Sequence, residues 1–250
     1  MTYWRHLGYL WELLSNLSKP YYFGFSVGHS HLSDRRLAEI KEVMNDGIQE
    51  EIRDDYEKKF SRLIGQGYGL SFAAGRMAFY SLMKEMDIGP GDEVIVTGFT
   101  CSVMPNAVWR VGAVPVFADV DLDTFGSDPS DIERKITPRT KMIVAQHSFG
   151  IPCKIDEIAA LARRHGIFLL EDAAICLDSQ RQGKSVGNWG GAAIFSTGHT
   201  KPLNTLVGGF LYSTDMQLYK KMKEAVAKMP ELPSDHQQRL FDQLLYERRY

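Results

Sequence analysis

The sequence predicts an α/β fold, a three-layer sandwich with a mainly parallel central sheet. Apolar runs of strand length alternate with stretches of helical periodicity, and Gly- and Pro-rich turns separate many of them. Such alternation is typical of a parallel sheet covered by helices on both faces. A chain of 250 residues that is 44% hydrophobic can bury one large core. The predicted strands are 68–72, 93–97, 114–118, 141–146 and 167–171, and the helices between them are 73–86, 103–111, 128–135 and 155–165.

Helical patterns also precede the first strand. Ser33 can cap a helix that runs to Met44, and a charged helix follows from Glu50 to Leu63. Nearer the N-terminus, apolar residues recur at helical spacing from Trp4 to Leu17. We expect that helix to pack on its own domain or on a partner subunit, with a membrane-surface helix as the alternative.

The last third of the chain continues the same pattern and then changes. A strand is predicted at 208–213, a helix at 215–229, a break at 230–235 and a final helical stretch at 237–250. We therefore divide the chain into an N-terminal helical segment (1–66), an α/β domain (67–236) and a C-terminal helix (237–250) that begins a missing or truncated small domain.

Composition excludes several classes of function. Basic and acidic residues number 29 and 31, and no basic run is suited to a nucleic-acid backbone. Cys101, Cys153 and Cys176 have neither disulfide nor metal-ligand spacing, so we expect reduced thiols, no metal site and a cytoplasmic location. No apolar stretch approaches the ~20 residues that span a bilayer, so no transmembrane segment is expected.

A carboxylate and a lysine follow two apolar runs. The first run ends in Glu171-Asp172-Ala173-Ala174, and the second is followed by Lys201, five positions after Ser196. A carboxylate at the end of a strand and a lysine in a loop are the two side chains with which a protein holds pyridoxal phosphate (PLP). The lysine amine bonds covalently to the cofactor aldehyde, and the carboxylate keeps the pyridine nitrogen protonated so that the ring accepts electrons.

The wider chain resembles the DegT/DnrJ-type sugar aminotransferases, which are fold-type-I PLP enzymes. The resemblance runs in order from about Leu70 to Ser213. It implies a PLP-binding large domain, a homodimer, a nucleotide-linked keto sugar as substrate and an amino acid, glutamate, as nitrogen donor. The matching blocks are Gly-Pro-Gly-Asp-Glu-Val-Ile-Val at 89–96, Pro-Asn-Ala at 105–107, Gly-Ala-Val-Pro-Val-Phe-Ala-Asp-Val-Asp at 112–121 and Ile-Thr-Pro-Arg-Thr-Lys at 136–141.

The resemblance also assigns roles to individual residues. Lys201 holds the cofactor and, once released, moves a proton between substrate and cofactor. Asp172 pairs with the pyridine nitrogen. Ser196 donates its hydroxyl to the cofactor phosphate, and Gly75 offers a backbone N–H to the same phosphate from a helix N-terminus.

Some positions depart from the family pattern. Arg76 stands where relatives carry Thr, so either its guanidinium replaces a hydroxyl contact to the phosphate or the phosphate site is weakened. Cys101 occupies the place of a stacking aromatic ring and is assigned to the cofactor face. Ile175 replaces Gln or His and can only pack. His147 either bonds to backbone or lines the active site, and His199 is left unassigned.

Three functions are compatible with the sequence. The first is a PLP-dependent aminotransferase. The second is a dehydratase with the same cofactor, but such relatives characteristically lack the lysine, so Lys201 argues against it. The third is a truncated family member that acts as a PLP-binding or regulatory partner protein without turnover, as the departures at Arg76, Cys101 and Ile175 suggest.

Overall fold

The computed structural model describes residues 33–45, 50–198, 201, 203, 205, 207–231 and 233–247. The predicted helix from Trp4 to Leu17 and His199 lie outside these residues. The helices are α1 Asp34–Asn45, α2 Glu50–Ile64, α3 Gly75–Glu85, α4 Val103–Arg110, α5 Pro129–Lys135, α6 Ile155–His165, α7 Met216–Val226 and α8 Ser234–Glu247. The strands are β1 Tyr68–Phe72, β2 Glu93–Thr97, β3 Val114–Ala118, β4 Thr140–Gln146, β5 Phe168–Asp172, β6 Gln180–Arg181, β7 Lys184–Ser185, β8 Ala192–Ser196 and β9 Gly209–Ser213.

Seven of the strands form one sheet in the order β1-β9-β8-β5-β4-β2-β3. Strand β9 is antiparallel to both of its neighbours, whereas the pairs from β8 to β3 are parallel. All five residues of β2 are buried, as expected for a strand covered on both faces. The predicted mainly parallel α/β fold is therefore confirmed.

Helices cover the two faces of the sheet and bury separate apolar clusters. On one face, Leu82 and Met83 of α3 pack with strand residues such as Val94. On the other face, Ile155 and Ile158 of α6 pack with Ile143 and its neighbours. These two clusters give the three layers that the alternating pattern predicts.

Helix α2 packs on the antiparallel end of the sheet. Phe60 of α2 meets Phe210 of β9 with ring centroids 4.3 Å apart, and it also contacts the ring of Phe195 in β8. Ile64 and Tyr212 belong to the same buried cluster. Helix α2 thus contributes to the core around β8 and β9, although the division of the chain places it in an N-terminal segment; that division stays a prediction.

The element boundaries follow the sequence closely, with small differences. The strands at 93–97 and 114–118 and the helix at 155–165 lie where they are predicted. The Ser33 hydroxyl accepts a hydrogen bond from the Arg36 amide at 3.3 Å and so caps α1. The hairpin of β6 and β7 is an addition, because its two-residue strands are too short to show a periodic pattern. Helix α7 ends earlier than predicted, at Val226, and α8 begins earlier, at Ser234.

The strand directions bring several loops to one edge of the sheet. Gln146, Asp172 and Ser196 end β4, β5 and β8, which run parallel, so the loops that follow them lie together. Ligands in such sheets bind outside the carboxyl ends of the strands. Within the described ranges, no helix is both long enough and apolar enough to cross a membrane.

Candidate active site

A cavity of about 250 Å³ opens at this carboxyl edge. Asp172 and Lys201 both line it, although they come from different loops and different strands. The structure therefore brings together the two residues on which the cofactor prediction depends. The remaining lining residues are Phe99, Thr100, Cys101, Gln146, His147, Ser148, Phe149, Ala174 and Ile175.

Asp172 is the buried acid of this cavity. Its Oδ1 accepts one hydrogen bond from the Ala174 amide at 3.1 Å. Burial raises the pKa of Asp172, while the Ala174 amide, His147 and Lys201 oppose that rise. A cation that enters the cavity beside this carboxyl group would lower its pKa and favour the ionised form. The environment of Asp172 therefore suits the protonated nitrogen of a pyridine ring.

Lys201 lies in the loop between β8 and β9 and is partly buried. Its backbone N–H donates to the Gly198 carbonyl at 2.9 Å, so the lysine sits in a turn directly after the strand that ends at Ser196. The charge of Lys201 acts to lower the pKa of Asp172, and both residues line the same cavity. An amine and a carboxyl group in one cavity can hold the aldehyde and the ring nitrogen of one cofactor.

The N-terminus of α3 supplies an anion-binding element next to Ser196. Ala74, the N-cap residue, provides no side-chain hydrogen bond to the first amides of the helix. A Cβ atom on Gly75 would lie 3.1 Å from the Phe195 carbonyl oxygen and 3.8 Å from Ser196 Cβ, so the helix begins against the end of β8. Uncapped amides and the helix dipole favour a phosphate at this position.

Gly209 makes that close approach possible. A Cβ atom on Gly209 would lie 2.1 Å from both the Ala74 carbonyl carbon and the Gly75 nitrogen. A side chain at this position would push the start of α3 away from β9. An amine, a carboxylate and an anion site are thus available for the aldehyde, the ring nitrogen and the phosphate of PLP, and the residues present fit the cofactor.

The departures from the family pattern lie in two different places. Cys101 is exposed and lines the Lys201 cavity, and Ile175 lines it as well. Arg76 is exposed and lines a second cavity of about 360 Å³. Its role toward the phosphate therefore stays a prediction. The other residues of the second cavity are Met77, Tyr80, Val103, Asn106, Ala107 and Arg110.

Glu171 has a structural role that the sequence analysis missed. Its side chain is fully buried on the face of β5 opposite to Asp172. Oε1 accepts hydrogen bonds from the Trp189 amide at 2.6 Å and the Gly190 amide at 2.9 Å, and Oε2 accepts one from the Gly187 amide at 2.8 Å. One carboxylate therefore orders the turn that leads into β8.

His147 connects Glu171 to the loop after β4. Its Nδ1 accepts a hydrogen bond from the Cys153 amide at 3.2 Å, and its Nε2 lies 3.3 Å from Glu171 Oε2. Because Nδ1 accepts a hydrogen bond from the Cys153 amide, this geometry assigns the ring proton to Nε2, which donates to the Glu171 carboxylate. Both ring nitrogens are thus used within the protein. The two alternatives from the sequence are a hydrogen bond to backbone and a place in the active-site lining. His147 accepts a hydrogen bond from the backbone of Cys153, and it also lines the cavity.

Gln146 and two phenylalanines form the mouth of the cavity, and the sequence analysis did not single them out. Gln146 Nε2 donates to the Phe99 carbonyl at 2.8 Å and to Ser148 Oγ at 3.1 Å. The rings of Phe99 and Phe149 are 6.2 Å apart and are 60% and 65% exposed. The position of Gln146 at the end of a strand next to β5 is the signal that could have identified it.

A lysine and a buried carboxylate at the carboxyl edge of a mainly parallel sheet, beside an uncapped helix, define the large domain of a fold-type-I PLP protein. The sequence agrees with this class. Residues 31–239 match the model of the DegT/DnrJ/EryC1/StrS aminotransferase family, and the chain belongs to that family.

Individual relatives support the same membership. The chain is 39% identical over 168 residues to the spore coat polysaccharide biosynthesis protein SpsC of Bacillus subtilis, a match that covers 67% of this chain and 43% of the relative. It is 38% identical to the GDP-perosamine synthase of Caulobacter vibrioides, covering 68% of this chain and 46% of the relative. The solved structure of DesI in the presence of its TDP-sugar product matches this chain with a TM-score of 0.72 at 27% identity. The match covers 84% of this chain and 55% of the DesI chain. The chain thus spans about half the length of these relatives.

Proposed function

We propose that this chain carries the catalytic PLP-binding domain of an aminotransferase that acts on a nucleotide-linked keto sugar and takes nitrogen from an amino acid, glutamate. The observation that carries the proposal is the convergence of Lys201 and Asp172 on one cavity, with Ser196 and the uncapped start of α3 beside β8. When bound, PLP supplies an electron sink for the carbanion formed on the substrate.

The side chains divide the work between binding and proton transfer. Lys201 Nζ would hold the cofactor covalently and, when released, would carry the proton between the substrate α carbon and the cofactor. Asp172 would accept a hydrogen bond from the pyridine N–H and so keep that nitrogen charged. Ser196 would donate its hydroxyl to the phosphate, and Gly75 would add a backbone N–H. Cys101 would line the side of the cavity that receives the ring.

The substrate class rests on the relatives. GDP-perosamine synthase is named for a nucleotide-linked sugar, DesI was solved in the presence of its TDP-sugar product, and SpsC is named for polysaccharide biosynthesis. A homodimer, a cytoplasmic location and a role in polysaccharide biosynthesis belong to the same proposal. Near-equal numbers of basic and acidic residues favour small-molecule partners over nucleic acid.

A second function is a family member that binds PLP without turnover and acts as a partner or regulatory protein. The observation that favours it is Arg76, which faces a different cavity in the position where the family pattern has a phosphate-binding threonine. Ile175, an apolar side chain in the Lys201 cavity, points the same way because it cannot donate a hydrogen bond to the cofactor.

Covalent labelling tests the cofactor part of the proposal. The protein is mixed with PLP, reduced with borohydride and digested, and the labelled peptide is identified by mass spectrometry. We expect the label on Lys201. Replacing the exposed Lys228 with alanine serves as a matched control and should leave labelling intact, whereas Lys201→Ala should abolish it. A label on another lysine in the wild type would refute the assignment.

A half-reaction separates the two functions. Glutamate is added to the PLP-loaded protein, and the visible absorbance of the lysine-bound cofactor is followed with time. The enzyme hypothesis predicts that this absorbance decays and that 2-oxoglutarate appears in equal amount. Stable absorbance with glutamate and with other amino donors would favour the binding protein without turnover.

A further inference from the structure

The segment 197–205, here called the lysine loop, is closed at its base by hydrogen bonds between its two ends. The structure describes residues 197, 198, 201, 203 and 205 of it. The Thr205 amide donates to the Thr197 carbonyl at 2.8 Å, and the Thr197 amide donates to the Gly208 carbonyl at 3.0 Å. Lys201 lies in the middle of this closed loop, so its position depends on what holds the base together.

A chain of three hydroxyl groups joins at that base. Thr205 Oγ1 is 2.6 Å from Thr197 Oγ1, and it lies 3.1 Å from the Thr197 carbonyl oxygen and 3.0 Å from the Val207 carbonyl oxygen. The Tyr56 hydroxyl from α2 is hydrogen-bonded to Thr197. We call Tyr56, Thr197 and Thr205 the hydroxyl chain.

The direction of these hydrogen bonds follows from counting protons. Each hydroxyl has one proton, and the two carbonyls near Thr205 can only accept. Thr205 therefore donates to the carbonyls and accepts from Thr197. Burial raises the pKa of Tyr56, and its hydrogen bond with Thr197 opposes that rise.

The surrounding structure is built to fit the hydroxyl chain. A Cβ atom on Gly208 would lie 2.1 Å from Thr197 Oγ1 and 2.6 Å from Thr205 Oγ1, so the absence of a side chain there leaves room for both hydroxyls. Tyr56 is held by an edge-on contact with the ring of Phe210, with centroids 6.0 Å apart. Thr197 is 1% exposed, whereas Thr205 is exposed. The chain thus links the buried core under α2 to the surface side of the lysine loop.

We propose that Thr205 is a positioning residue for Lys201. Its hydroxyl joins the end of the lysine loop to the core through hydrogen bonds that include Thr197 and Tyr56, and so holds Lys201 in place. The proposal rests on the proposed function, in which Lys201 holds PLP. Its specific content is that the Thr205 hydroxyl, and not the methyl group, fixes the loop in the conformation from which Nζ reaches the cavity.

Two variants isolate the hydroxyl. Thr205→Val keeps the shape of the side chain and removes the oxygen, whereas Thr205→Ser keeps the oxygen and removes the methyl group. Thr137→Val is the matched control. Its hydroxyl donates to Glu93 Oε2 at 2.5 Å, at the start of β2 and therefore at the opposite edge of the sheet.

Hydrogen exchange of the protein without cofactor gives the first readout. The amides of Lys201 and Thr205 are each hydrogen-bonded within the loop, so their exchange reports its opening. We expect Thr205→Val to speed their exchange by about 3- to 10-fold, the effect of one lost neutral hydrogen bond. Thr205→Ser and Thr137→Val should stay within about twofold of the wild type. Unchanged exchange in Thr205→Val, or equal acceleration in Thr205→Ser, would overturn the proposal.

Cofactor binding gives the second readout. The PLP dissociation constant, measured by the absorbance of the bound cofactor, should rise by about 3- to 10-fold in Thr205→Val and recover in Thr205→Ser. A dissociation constant in Thr205→Val equal to that of the wild type would contradict the positioning role. If the wild type itself attaches no PLP at Lys201, the proposed function fails, while the exchange measurement still decides whether Thr205 holds the loop.

Discussion

Glu171 and Asp172 are adjacent carboxylates, and the structure predicts opposite consequences when each is made into its amide. Glu171 accepts three backbone hydrogen bonds and one from His147, so its carboxylate stabilises the fold. Asp172 accepts a single backbone hydrogen bond and faces the cavity. Glu171→Gln should therefore destabilise the protein without cofactor, and Asp172→Asn should not.

The size of the Glu171→Gln effect can be worked out from the contacts. A glutamine oxygen in the place of Oε1 keeps the Trp189 and Gly190 amides, but its NH2 group then faces two donors, the Gly187 amide and His147 Nε2. Two buried donors, the Gly187 amide and the Nε2–H of His147, lose their acceptor, which costs about 1–3 kcal/mol for the amide alone, and the two retained bonds lose their charge assistance. We expect a loss of roughly 2–4 kcal/mol in the free energy of unfolding.

The sign for Asp172→Asn follows from its pKa. Burial raises the pKa of Asp172 above its ordinary value of 3.8, although the Ala174 amide, His147 and Lys201 oppose the rise. A carboxyl group with a raised folded-state pKa contributes stability below the ordinary value, and that contribution is lost as pH rises through the folded-state value. At neutral pH the asparagine removes the cost of the buried charge, and its amide oxygen can keep the Ala174 bond. Asp172→Asn should therefore be as stable as the wild type or more so.

Urea unfolding monitored by circular dichroism measures both effects. With a slope of roughly 2–3 kcal/mol per molar urea, Glu171→Gln should lower the midpoint by about 1 M without changing the slope. The Asp172→Asn midpoint should be unchanged or higher, while its PLP affinity falls. Equal destabilisation by the two substitutions, or a wild-type midpoint for Glu171→Gln, would refute the division of labour between the two carboxylates.

Three further predictions follow from the same geometry. Gly209→Ala should weaken PLP binding by at least about tenfold, because the new Cβ atom displaces Ala74 at the start of α3. Titration with PLP measures this loss of affinity. Gly89→Ala is the control, because its Cβ atom would lie 3.5 Å from its nearest neighbour. Arg76→Ala should change the PLP dissociation constant by less than about threefold, because Arg76 lines the second cavity; a rise of tenfold or more, the value of a charged hydrogen bond, would show that its guanidinium reaches the phosphate. The stability advantage of Asp172→Asn over the wild type should grow as pH rises above 3.8, as measured by thermal unfolding across a pH series; a constant difference would contradict the raised pKa.

The convergence of Lys201 and Asp172 could be predicted from the sequence, because the carboxyl ends of parallel strands share an edge and apolar runs reveal where those strands end. The role of Glu171 could not. Its partners come from the turn at 187–190, which has no periodic pattern and reaches Glu171 only through the folded loop. That Arg76 lines the second cavity could not be predicted either, because its position in the sequence of α3 does not show which neighbouring helix its side chain will approach.

The antiparallel strand β9 has a consequence for the order in which the cofactor site is assembled. Among the strands that the structure describes, β1 pairs only with β9, and β9 lies between β1 and β8. The strands from β3 to β8 can pair before β9 exists, but β1 joins the sheet only when residues 209–213 insert. That insertion also seats Gly209 beneath the first turn of α3 and closes the lysine loop. Lys201 and the start of α3 are therefore brought into register by the same event, and a nascent chain that ends before β9 has not yet formed the proposed cofactor site.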